Sequence, residues 1–148
     1  MFGTSTLDTE LQMFDLKKPT TQMLGRWQPW HKGHTELFKR ALLETGQVCI
    51  MIRDVGGIVG QDAGAGRTAA QDDNPFNIHE VKNNIKEALL EEGFTYGIEY
   101  IIMEVPNIVD ISYGRGVGYT FTQHHLGTDI HEISATKIRE ELRKQGKL

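Results

Sequence analysis

Residues 23–43 read MLGRWQPWHKGHTELFKRALL, and a change of pattern within this stretch decides the fold. Met23 and Leu24 end a short apolar segment, Gly25 and Pro29 tighten the chain, and His31-Lys32-Gly33-His34 opens a helix. Leu37, Phe38, Ala41 and Leu42 fall on one face of a 3.6-residue period, while Glu36, Lys39, Arg40 and Glu44 take the other. A strand, a glycine turn and a helix start carrying two imidazoles suit an anion such as phosphate. Free backbone amides and the positive end of the helix dipole converge there.

Outward from this stretch, the clearest strand is Gln47 to Arg53. Its apolar residues are consecutive, as expected of a strand covered on both faces in a parallel sheet. Strand, helix and strand then form a right-handed crossover unit. Asp54 to Asn77 breaks the pattern with glycines at 56, 57, 60, 64 and 66. It reads either as a mobile flap beside the site, with Arg67 its cation, or as a disordered surface loop. Asn77 and Glu80 have the spacing of a capping box, followed by a stripe of Ile78, Val81, Ile85, Ala88 and Leu89 that stops at Gly93. Ile98 to Val105 reads as a third strand, apolar on both faces, and Val117 to Thr122 as a short fourth. The glycines of 114–118 do not have the spacing of a dinucleotide fingerprint. Ser134 starts a last helix whose inner face is Ile138 and Leu142. The alternation predicts an α/β fold: a single Rossmann-like domain over residues 21–148, with an open, mostly parallel sheet and helices on both faces. Its ligand is expected at the carboxyl ends of the strands, where the winding reverses. Residues 1–20 form an N-terminal extension, with Leu7, Leu11 and Phe14 at helical spacing.

At 148 residues the chain is long enough for one domain with its own core. A net charge of −4 argues against a protein that grips nucleic acid through its overall field, but leaves room for a small basic pocket. No apolar run is long enough to span a bilayer. The start of the chain lacks the basic and apolar segments of a secretory signal, so a cytoplasmic protein is expected. The single cysteine, Cys49, excludes an internal disulfide, and its place among Val48, Ile50 and Met51 marks it as a core thiol.

His31 and His34, three residues apart at a helix start, can face one ligand; surface or capping histidines would look the same. His124, His125, Asp129 and His131 lack the spacing of a zinc site and read as a polar loop, so no protein-bound metal is expected. A second helix start, Ile133-Ser134-Ala135-Thr136-Lys137-Ile138-Arg139, brings two hydroxyls and two cations. Two such starts in one α/β domain would suit a triphosphate, one at the reacting phosphate and the other at the phosphates that leave.

These two segments together resemble the HxGH nucleotidyltransferase superfamily, whose members transfer a nucleoside monophosphate from ATP or CTP and release pyrophosphate. The stretch from Gly25 to His34 is most similar to the archaeal-type nicotinamide mononucleotide adenylyltransferases, and Asn74-Pro75-Phe76 resembles a short stretch of the same group. Many glycerol-3-phosphate cytidylyltransferases place a lysine eight residues after the second histidine, where this chain has Leu42. The resemblance therefore implies AMP transfer from ATP to a phosphorylated acceptor such as nicotinamide mononucleotide. CTP-dependent transfer and a nucleotide-binding regulatory module without turnover are the alternatives. It also implies Mg²⁺ carried with the nucleotide and a homo-oligomer.

Under this resemblance His31, His34 and Arg139 are the catalytic residues, and Gly25, Arg26, Trp27, Gly33, Ser134 and Thr136 bind nucleotide. Trp27 and Trp30 either stack on a base or acceptor ring or pack near the strand end. Trp30 and Arg115 are the candidate acceptor contacts.

Overall fold

The computed structural model describes residues 13–58, 73–116, 118–127 and 134–148. Three parallel strands, β1 (Thr21–Gly25), β2 (Val48–Arg53) and β3 (Tyr100–Val105), form a sheet in the order β1-β2-β3. Helices α1 (Lys32–Thr45) and α2 (Ile78–Glu91) make the two crossovers, and α3 (Ala135–Lys144) follows later in the chain. The register pairs Met23 with Ile50 and Ile50 with Ile102, so a row of apolar side chains crosses the sheet on one face.

That face carries the core. Met23, Val48, Ile50, Ile52, Tyr100 and Ile102 are buried together with Phe38 and Ala41 of α1 and Val81, Ile85 and Leu89 of α2. Phe38 meets the rings of Tyr100 and Phe94 edge-on. Both crossovers step in the same direction along the sheet, and right-handed connections of that kind put their helices on the same side. Both helices are well specified locally. Asn77 and Glu80 cap α2 reciprocally, and Gly46, at φ 87°, closes α1 in the left-handed conformation that glycine tolerates best.

The expectation of helices on both faces is corrected here: among the described residues, α1 and α2 cover one face. Burial alternates along β2, with Val48, Ile50 and Ile52 buried and Cys49, Met51 and Arg53 half-exposed. On β3, Met103 and Glu104 are exposed, so that strand is not apolar on both sides. A continuous apolar run in sequence looks the same whether the second face is covered or half-open. The winding does not reverse among the described strands either, which leaves β1 at one edge.

Other expectations change at the margins. The third strand starts at Tyr100 rather than Ile98. Residues 118–122 are not a strand, and Gly118 sits at φ 85°, outside extended geometry. Leu7, Leu11, the loop centre with Arg67, and residues Asp129 and His131 lie outside the described residues. Phe14 does not continue a helix. Its amide donates to Gly97, and the next residue, Asp15, exchanges two hydrogen bonds with the side chain of Gln47. No helix among the described residues is long and apolar enough to cross a membrane.

Candidate functional site

The site grows from the way the chain leaves β1. Trp27 has φ 54°, a left-handed conformation unusual for a bulky side chain. The turn is held by its indole, which donates to the Met51 carbonyl at 3.0 Å and lies over Gly25. A Cβ at Gly25 would come within 2.8 Å of that ring. Gly25 is thus the seat of Trp27. Overpacking of this kind costs about 1–3 kcal/mol, so Gly25→Ala is expected to lower the urea midpoint with an unchanged m-value.

Trp27 and Trp30 are 7% and 6% exposed. Trp30 donates to Thr35 Oγ1 at 2.8 Å, and both indoles pack against the His34 ring. Of the two roles open to them in the sequence, packing is the one realised. They form the wall behind the histidines.

The histidines form an unusual capping box at the start of α1. His31 Nδ1 accepts from the Gly33 amide at 3.0 Å, and His34 Nδ1 accepts from the His31 amide at 3.1 Å. Since a backbone N–H can only donate, each neutral ring must carry its proton on Nε2. The rings are stacked, with centroids 3.6 Å apart and planes at 23°. The result is two neighbouring Nε2–H donors at the positive end of a helix, a pairing that favours an anionic oxygen. The Gly33 amide is engaged in the cap.

Both imidazoles are held neutral. Burial lowers the His31 pKa, and burial together with neighbouring His31 lowers that of His34 to about 3. Unfolded histidine titrates near 6.5. Between about pH 6.5 and about 3 the unfolded chain therefore binds a proton that native His34 does not. Stability from this group is present above pH 6.5 and is lost as pH falls through that window, at up to about 1.4 kcal/mol per pH unit for one proton. Asparagine can keep an acceptor near the Nδ1 position without titrating. The Tm of His34→Asn should fall less steeply than wild type below pH 6; parallel curves would refute this.

The second helix start is joined to the same turn. Arg139 in α3 is 1% exposed; its Nη1 donates to the Gln28 carbonyl at 2.7 Å, and its Nη2 reaches Asp73 and Thr136 Oγ1, each at 3.3 Å. Arg139 thus clasps the two segments together. Ser134 Oγ accepts from the Lys137 amide as the cap of α3, while Thr136 and Lys137 are exposed in its first turn.

Three residues absent from the sequence-based set complete the arrangement. Gln28 grips Phe76 through both backbone groups, each bond 2.9 Å, and is 3% exposed. Asn74, fully buried, accepts from Arg26 Nη1 at 2.7 Å and donates to the Ile58 carbonyl at 2.6 Å. Asp73 faces Arg139. The Gly25–His34 and Asn74-Pro75-Phe76 stretches were the available signals for Gln28 and Asn74; nothing in sequence singled out Asp73.

Gly25, His31, Gly33 and His34 therefore meet around Trp27 at the end of β1, Arg26 reaches Asn74 beside them, and Arg139 ties the α3 start to Gln28. Arg115 is exposed, and no described hydrogen bond or ion pair connects it to either helix start. Asp73, the carboxylate at this junction, is engaged by Arg139, and no three His, Cys, Asp or Glu side chains gather as a metal site among the described residues. No protein-family model and no curated protein matches the chain.

Proposed function

We propose that the protein is a nucleotidyltransferase that moves a nucleoside monophosphate, AMP from ATP in the favoured reading, onto a phosphorylated small molecule and releases pyrophosphate. The observation that carries this reading is the stacked His31–His34 pair, with both Nδ1 atoms locked by backbone amides and both Nε2–H groups left as donors. The resemblance of residues 25–34 and 133–139 to HxGH nucleotidyltransferases supports it, as does the parallel α/β sheet, which is compatible with a Rossmann-like domain.

In this reading an acceptor phosphate oxygen attacks the α-phosphorus in line. A new P–O bond forms as the bond to the bridging oxygen of pyrophosphate breaks. The acceptor is already ionised at neutral pH, so no general base is needed, and the protein's task is positioning and charge stabilisation. His31 and His34 donate to phosphate oxygens on which charge grows. Because the free rings are neutral, they act as preformed dipoles rather than fixed cations. Arg26, steered by Asn74, supplies positive charge. The start of α3, with Ser134, Thr136 and Lys137, receives the β- and γ-phosphates, and Arg139 fixes that start relative to the histidines. Mg²⁺ would be held by the nucleotide's own phosphates and neutralise part of their charge.

The test is pyrophosphate release from ATP or CTP in the presence of nicotinamide mononucleotide or glycerol 3-phosphate. Release with one pair supports transfer and names the branch. Nucleotide binding without release in any combination would favour a regulatory module instead.

A further inference from the structure

A recess lies between α2 and α3. Asn84, Glu87, Ala88 and Glu91 recur at i, i+3, i+4 and i+7, so they share one stripe of α2 beside the core stripe of Val81, Ile85 and Leu89. Across a cleft of about 380 Å³, within the size range of small-molecule sites, that stripe meets Leu142 of α3. Trp30 and Phe76 add aromatic walls. The sequence places Leu142 on the inner face of α3; it borders the cleft and stays half-buried. His31, His34, Ser134 and Thr136 do not border it.

The charge of this cleft is one-sided. Glu87 and Glu91 stand one helical turn apart on its rim, both exposed, and neither carboxylate has a hydrogen bond or ion pair among the described residues. No lysine or arginine borders the cleft among those residues. The two lysines of α2 are engaged elsewhere, Lys82 with Glu104 and Lys86 over the ring of Tyr96. Side chains four apart on a helix are neighbours, so one ammonium with its three N–H donors can reach both carboxylates. An anion is repelled here, and a neutral molecule gains only the apolar contact. A cation with an apolar body gains both.

We propose that this cleft binds a small organic cation, with its ammonium group at Glu87 and Glu91 and an aromatic body against Trp30, Phe76 and Leu142. The inference concerns binding alone and is tested without nucleotide, so it stands or falls separately from nucleotidyl transfer.

The experiment is amide and indole NMR of the full chain, titrated with phenethylamine, and with phenethyl alcohol and hydrocinnamate as neutral and anionic controls of similar shape. The amine should give saturable shifts at Trp30, Glu87–Glu91 and Leu142, with affinity about fivefold above the alcohol, the size expected for two exposed charge contacts. Hydrocinnamate should bind more weakly than the alcohol. The double variant Glu87→Gln, Glu91→Gln, at exposed positions, keeps the shape of the rim and should bring the amine down to the affinity of the alcohol. Raising the ionic strength should shrink the wild-type preference, since exposed charge contacts are screened. Absence of saturable shifts with the amine would overturn the proposal, as would shifts confined to other residues or equal wild-type affinity for the alcohol. So would a preference that persists in the double variant. Should that variant fail to fold, a wild-type preference unmoved by salt overturns it alone.

Discussion

His34→Ala is expected to lower kcat by about 10²–10³, the usual effect of removing one preorganised donor from a site of developing charge. Three effects add in this variant: the Nε2–H donor disappears, and so does the acceptor that caps the His31 amide. His31 then loses its stacking partner as well. His34→Asn separates these contributions, since its carbonyl oxygen can restore the cap but cannot replace the donor. Comparable kcat losses in both variants would assign the effect to donation. Recovery in His34→Asn would assign it to the cap, and near wild-type kcat in both would remove His34 from the mechanism. Pyrophosphate release under saturating substrate is the measurement, accompanied by circular dichroism to confirm the fold.

Arg139→Ala is expected to act first on stability. The guanidinium is buried and bridges the Gln28 carbonyl, Asp73 and Thr136. Leaving the buried Gln28 carbonyl without its donor costs about 1–3 kcal/mol, and the emptied space adds to it. Denaturant unfolding should show a lower midpoint. Proteolysis near residues 134–144 should accelerate, since α3 loses its tie to the turn after β1. Arg139→Lys keeps the charge but cannot span the same acceptors with a planar fork, and is expected to recover only part of the loss. Wild-type stability in Arg139→Ala would show that α3 docks without the clasp.

The contrast between these two residues shows what the sequence could convey. His31 and His34 interact across three positions, and a helix start restricts where both rings can lie, so their pairing was legible. The capping of α2 by Asn77 and Glu80 was legible for the same reason. Arg139 stands out in the sequence beside Thr136, but its buried clasp does not. Its partners Gln28 and Asp73 lie 111 and 66 positions away, and no local pattern distinguishes a cation facing phosphate from one buried on a carbonyl. The tryptophans offered both packing and stacking, and only the tertiary contacts with Gly25, Met51 and Thr35 select packing. The fourth strand was read from residue types alone, without weighing the left-handed backbone at Gly118.

The one-sided sheet has a consequence for how this chain can drift over generations. Val48, Ile50 and Ile52 sit in closely packed surroundings where even one methylene matters, while Cys49 and Met51 border a half-open surface. Acceptable replacements along β2 should therefore alternate, narrow at even positions and broad at odd ones. An apolar run that looks uniform in one sequence would separate into a two-beat pattern across many descendants.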